Sequence, residues 1–255
     1  LAQFLGDFQT EVLTMATWNE ISFDEAQKVL NLNTEVMRKC HALLNWQPDI
    51  LKTAQEGTQK VLHLLSKNGN LSQLLLKFQK IEQFGFADKC TLMNLVSTQI
   101  SHHLNTSAID KVKLNFAVML HDTLLADSTY DKKKKYVEMI KRKEGNEKKE
   151  VIEVFDHPNL TAEFTRGLAV CPPGTDLIIQ QHHEWPDGSG FPRGLRGEKI
   201  DLLAAIMIVA EDFTLHFIDR LGKVNLAEYS KLRRQIFKTP PFAVTLEALT
   251  GAKSD

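Results

Sequence analysis

Three short stretches of this chain combine imidazoles and carboxylates in arrangements that suit a metal ion. The first is His121-Asp122, which closes the apolar run from Phe116 to Leu120. An ionised Asp against an apolar wall needs a partner, because burying a bare carboxylate is costly. A metal is one such partner: the neighbouring His offers a neutral nitrogen, and the Asp oxygens can bridge two cations. The second stretch is His182-His183-Glu184. Adjacent helical residues point about 100° apart, so two such histidines approach one ion only near a helix end. A Gly-rich loop follows this pair at once, and histidine is the commonest metal-ligating side chain. The third stretch is Glu211-Asp212, set in the apolar run Leu202 to Ile218. Flanks so apolar predict that one of the two carboxylates faces inward.

Helical periodicity supplies the frame for these residues. Ser22-Phe23-Asp24-Glu25 fits a capping box with Ser22 as N-cap, and an amphipathic run from Ala26 to Leu44 follows. Pro48 suits the first turn of the next helix, whose stripe includes Ile50, Leu51, Val61, Leu62, Leu64 and Leu65. Asn68-Gly69-Asn70 reads as a turn. Leu71 to Phe84 returns to helical spacing, and Gly85 breaks it. This places a boundary between a smaller N-terminal helical domain, residues 1–84, and a second domain, residues 85–255. In the second, helices are expected at about Ala87 to His103, at about Ile109 to His121, before His182-His183, and over Leu202 to Ile218. Pro186 to Gly197 holds four glycines and two prolines and must be a loop. No convincing alternating strand occurs, so the fold class is all-α.

The stretch Asp131 to Glu150 carries nine Lys or Arg against five acids. It reads as a solvated helix or loop, or as a lid attracting an anionic substrate. The formal net charge of −1, with 43% apolar and 25% charged residues, gives no reason to expect DNA or a membrane surface as partner. Cys40, Cys90 and Cys171 are too few and too scattered for a disulfide framework, which points to a reducing cytoplasm. No apolar run reaches the ~20 residues of a membrane span, and Leu1 to Asp7 lacks the pattern of a signal peptide.

The run His182-His183-Glu184-Trp185-Pro186-Asp187-Gly188-Ser189-Gly190-Phe191-Pro192-Arg193-Gly194-Leu195-Arg196-Gly197 resembles the signature of the HD-GYP family, and His121-Asp122 resembles its HD pair. The resemblance covers roughly Gly85 to the mid-220s. It implies an all-helical HD-type bundle that hydrolyses cyclic di-GMP with a cluster of two or three metals, often iron; manganese and zinc also suit imidazole with carboxylate. By this likeness His121, Asp122, His157, His182, His183 and Glu211 are the ligands. Asp122 is the catalytic bridge between two divalent ions that would lower the pKa of a shared water, and Arg220 and Lys223 contact phosphate. Asp187, Gly188, Gly190, Phe191 and Pro192 form the motif loop, where the family's tyrosine lines the site or contacts a signalling protein. Glu184 has the place of a second group orienting a histidine.

Four positions depart from the family pattern. Phe191 replaces the tyrosine, and Thr123-Leu124-Leu125 replaces a Gly-x-Lys-like continuation. Cys90 is nearest to an earlier ligand His, as thiolate or as core. Phe86 stands four residues before it, where trinuclear members have Glu, which argues for two metals rather than three. The alternative to an enzyme is a signalling module that keeps metal and loop and binds a nucleotide or a protein without turnover; a third option is an HD phosphohydrolase acting on another phosphate ester.

Overall fold

The computed structural model describes residues 20–42, 48–68, 71–79, 81, 84–125, 130–145 and 147–251. Among these the chain is all-α, with one isolated antiparallel bridge, Asp187 to Arg196. The helices are α1 (Phe23–Ala42), α2 (Pro48–Asn68), α3 (Leu71–Phe78), α4 (Phe86–His103), α5 (Ala108–Leu120), α6 (Tyr130–Lys141), α7 (Lys149–Arg166), α8 (Thr175–Gln181), α9 (Leu202–Asp219), α10 (Leu226–Arg233) and α11 (Phe242–Thr250). Leu1 to Asp7 and the Gly69-Asn70 part of the expected turn lie outside the described residues.

Local chemistry sets several of these boundaries. At the start of α1 the Ser22 N–H donates to Glu25 Oε2 (2.9 Å) and the Glu25 N–H donates to Ser22 Oγ (3.3 Å), the reciprocal cap read from the sequence. Gly85 precedes α4 as N-cap, and its N–H donates to Asp88 Oδ2 (2.9 Å). The helix expected over Leu71 to Phe84 ends earlier, at Phe78. Gln79 donates its side-chain amide to the Gly222 carbonyl (2.9 Å), and Phe84 packs its ring between Phe78 and Phe217. Tertiary packing here overrides helical spacing.

α4 is the central element. It packs on α9, α1, α11 and α5, while α7 packs on α8 and α6. The first helices share their core with the rest: Val29, Leu30, Leu51 and Val61 belong to one buried cluster with Leu92, Val118 and Ile206. The charged stretch resolves into α6 and the start of α7. Lys133 on α6 is buried, so this stretch is not simply a solvated face. α10 and α11 bury Tyr229, Phe242, Leu246 and Leu249. No helix among the described residues is long and apolar enough to cross a membrane.

Candidate metal centre

His121, Asp122, His157, His182, His183 and Glu211 converge at the ends of α5, α8 and the middle of α7 and α9. They form two donor groups that share Asp122: one with His157, His182 and His183, the other with His121 and Glu211. His157 and His182 place their Nε2 atoms 3.2 Å apart. Asp122 Oδ1 lies 3.3 Å from His157 Nε2 and 3.8 Å from His182 Nε2. On the other side, His121 Nε2 is 3.2 Å from Asp122 Oδ2 and 3.9 Å from Glu211 Oε1.

The backbone fixes the tautomer of three rings. His121 Nδ1 lies 2.8 Å from the Val118 carbonyl, His157 Nδ1 2.6 Å from Val154, and His182 Nδ1 2.6 Å from Ile179. A carbonyl only accepts, so each Nδ1 carries the proton and each neutral ring presents an unprotonated Nε2 to the centre. These carbonyls can accept the rings for good local reasons. Val118 and Ile179 belong to the last turns of α5 and α8, where helical N–H partners run out; Ile179 takes the His182 N–H only at 3.4 Å. Val154 is four residues before Pro158, which has no N–H to give it.

Burial pushes the imidazoles further toward neutrality. It lowers His121 and His183 below the ordinary histidine value and brings His157 down to about 4. Burial alone would raise the Asp122 and Glu211 carboxyls. The His121 ring with the Lys133 and Lys89 ammoniums at Asp122, and Lys89 and Lys133 at Glu211, outweigh it and hold both below the carboxylate range. The cluster therefore consists of lone pairs and anions facing one another, and Nε2 of both His121 and His183 is buried without a hydrogen bond. That donor chemistry fits a divalent cation.

Two lysines that sequence reasoning missed enter this centre. Lys89, in the first turn of α4, places Nζ 2.7 Å from Glu211 Oε1 and 3.4 Å from Asp122 Oδ2. Burial would lower its pKa, but Glu211 and Asp122 raise it well above the ordinary lysine value. Lys133 on α6 donates to both Asp122 oxygens, at 2.6 Å to Oδ1, and lies 3.6 Å from Glu211 Oε1. Cys90 is core: its thiol is buried, lies 3.6 Å from the Val118 carbonyl and is pushed up to about 12 by burial. Phe86 stacks on the His121 ring, with centroids 6.3 Å apart.

Asp212 turns away from the centre. Its carboxylate accepts from Tyr229 Oη (2.7 Å) and from Arg233 Nε and Nη2 (2.6 and 3.0 Å), which leaves Glu211 as the inward residue of the pair. Glu184 does not orient a histidine. It accepts the backbone N–H groups of Arg193 (2.8 Å) and Leu195 (2.7 Å) and so folds the motif loop onto itself. Gly190 is required in that loop, because a Cβ there would meet Trp185 N at 2.3 Å and Glu184 C at 2.5 Å. Asp187 accepts from the Ser189 N–H at the exposed tip (2.8 Å), and Gly188 has φ +82°. Phe191 is buried rather than presented to a partner. It stacks on His183 with centroids 4.6 Å apart and on Phe155 at 5.8 Å, and Pro192 follows it.

A cavity of about 290 Å³ adjoins the cluster. Lys133, Val137 and Lys141 line it from one face of α6, with Lys134 beside them and Arg233 opposite. Arg220 caps the C-terminus of α9 and Lys223 follows in the next turn. Both are exposed, one turn beyond His216 and Asp219, which do line the cavity.

The Pro158 geometry leads to a prediction. Pro158→Ala supplies an N–H that competes with His157 Nδ1 for the Val154 carbonyl. Metal affinity should fall by about 10–100-fold, the usual cost of losing an outer partner of a ligating His, while helix content is retained. Calorimetric titration of the chelated protein with Mn²⁺ measures this; unchanged affinity would show that the carbonyl does not set the ring.

Residues 81–227 match the HD domain family model, and the chain belongs to that family. No curated protein sequence matches it. Among solved structures it is similar to Bd1817, an HDG"Y"P protein from Bdellovibrio bacteriovorus, with a TM-score of 0.66 and 20% identity over 95% of this chain and 76% of that one. The chain thus has the fold of an HD-GYP protein and keeps the motif loop of residues 182–197 with Phe191 in place of tyrosine. Within the HD family it is a metal-binding phosphohydrolase in type.

Proposed function

We propose that this protein is a metal-dependent phosphodiesterase that opens the ring of a cyclic dinucleotide, cyclic di-GMP, by attack of water on phosphorus. The observation carrying this reading is the set of neutral imidazole nitrogens and two carboxylates gathered in two groups around Asp122, beside a cavity that several lysines line. A divalent ion, iron by the family likeness and manganese or zinc by donor type, would be held by Asp122, His157, His182 and His183. When bound it supplies an acidified water and a Lewis acid for the phosphoryl oxygen. Asp122 orients that centre and takes part of its charge. The α6 lysines Lys133 and Lys141 attract the phosphates of an anionic substrate. Arg220 and Lys223 stand further out, where they would meet the distal part of a long ligand.

The test is chromatography of cyclic di-GMP incubated with metal-loaded full chain, expecting a linear dinucleotide. A second reading has its own observation: Lys89 and Lys133 already neutralise Asp122 and Glu211, as suits a module that binds a nucleotide, or a signalling protein through the exposed Asp187-Ser189 tip, without turnover. Tight binding of cyclic di-GMP with no product would favour that module, and neither binding nor product would reject both readings.

A further inference from the structure

The donor groups on the two sides of Asp122 differ in one respect. Lys133 from α6 contacts both Asp122 oxygens and so borders both groups, whereas Lys89, a residue of the central helix itself, contacts only the side with His121 and Glu211, through Glu211 Oε1 and Asp122 Oδ2. We propose that the Lys89 ammonium permanently takes the second cation position, between Glu211 and Asp122, so that the centre holds one metal ion per chain. This rests on the metal-centre reading above and narrows the expectation of two ions.

Three observations support it. Lys89 is buried, with 5% of its surface exposed, and its stem leaves α4 where that helix packs on α9, the helix of Glu211. Its first-turn position is one where the helix dipole disfavours a cation, so Glu211 and Asp122 are what hold the charge there. An ammonium also matches this group chemically. It offers three N–H donors and no acceptor, and Glu211 Oε1 and Asp122 Oδ2 are both acceptors within its reach. Charge then decides against a second ion. Two divalent ions beside Lys89 would set five positive charges against two carboxylates in a buried site. One ion with Lys89 sets three, close to balance once an anionic ligand binds. Lys89 and Lys133 both line the cavity; Lys133 differs in that it also contacts Asp122 Oδ1, the oxygen facing His157 and His182, so an ion bound by the three histidines takes its place there.

The experiment is metal analysis of the full chain saturated with Mn²⁺ and desalted, with electron paramagnetic resonance of the same sample. The expected result is one ion per chain and the six-line spectrum of an isolated Mn²⁺. Lys89→Met removes the ammonium and should raise the stoichiometry to two with an exchange-coupled spectrum; Lys89→Arg keeps the charge and should remain at one. Gel filtration and circular dichroism establish that each variant is folded; if Lys89→Met is not, the wild-type stoichiometry and spectrum decide. Two ions or a coupled spectrum in the wild type would overturn the role of Lys89 alone, as would a folded Lys89→Met that stays at one. No ion in folded wild type would overturn the metal-centre reading, and this inference with it.

Discussion

Asp122→Ala is expected to abolish metal binding and to destabilise the metal-free protein as well. Asp122 is the one residue common to both donor groups, so its loss leaves three histidines without an anion on one side and Glu211 with His121 on the other. In the metal-free state the same carboxylate is the principal partner of the buried Lys133. Removing one member of a buried ion pair costs about 3–5 kcal/mol, because the other charge is left uncompensated. The lower end applies here, since α6 borders the open cavity and gives Lys133 a way to solvent. Glu211→Gln separates the two roles. It should retain the ion held by Asp122, His157, His182 and His183, yet lose stability because Lys89 keeps only Asp122 at 3.4 Å. Metal analysis paired with denaturation in chelator reads both effects. A full complement of metal in Asp122→Ala would show that the histidines alone define the site.

Five of the six metal-ligand candidates stand out in the sequence because each interrupts a pattern, whereas His157 is reached only through the family likeness. His121-Asp122 ends an apolar helix, His182-His183 ends another, and Glu211 breaks the most apolar run. Choosing Glu211 over Asp212 required α10, whose Tyr229 and Arg233 claim Asp212 across 17 and 21 residues. Lys133 could not be singled out, because it is one of four consecutive lysines and only the placement of α6 distinguishes them. Lys89 lay beside the residue that drew notice. A thiol is a familiar ligand and a lysine is not, so the sequence directs the eye to Cys90; one residue is about 100° around a helix, which puts Cys90 in the core and Lys89 at the centre. Glu184 departs from its expected place beside a histidine for a related reason. Its proximity to the histidines in sequence is spent on closing the motif loop through Arg193 and Leu195.

Acidification from about pH 7 to about pH 4 is expected to cost the metal-free protein several kcal/mol, most of it before ordinary carboxylates titrate. Burial brings His157 down to about 4 in the folded chain, against about 6.5 when unfolded. Between these values the unfolded chain holds a proton that the native chain does not, so stability rises with pH across this window. The His157 contribution is therefore fully present above about pH 6.5 and lost as the pH falls toward 4; at 1.36 kcal/mol per pH unit it is about 3 kcal/mol. His121 and His183 are lowered by the same burial and act with the same sign. Asp122 and Glu211, held below the carboxylate range by the surrounding cations, extend the loss below about pH 4, where unfolded carboxyls take up protons first. Lys89, raised above its ordinary value, weakens the fold only at alkaline pH. In the metal-loaded protein the ion requires unprotonated Nε2 atoms, so acid releases metal as well. Urea denaturation in chelator at pH 7.5, 6.0 and 5.0 measures the slope, and His157→Gln should flatten it by removing one titrating ring. Equal stability at pH 7.5 and 5.0 would mean that these imidazoles are not held neutral, and the set of unprotonated ring nitrogens from which the metal site is inferred would not exist.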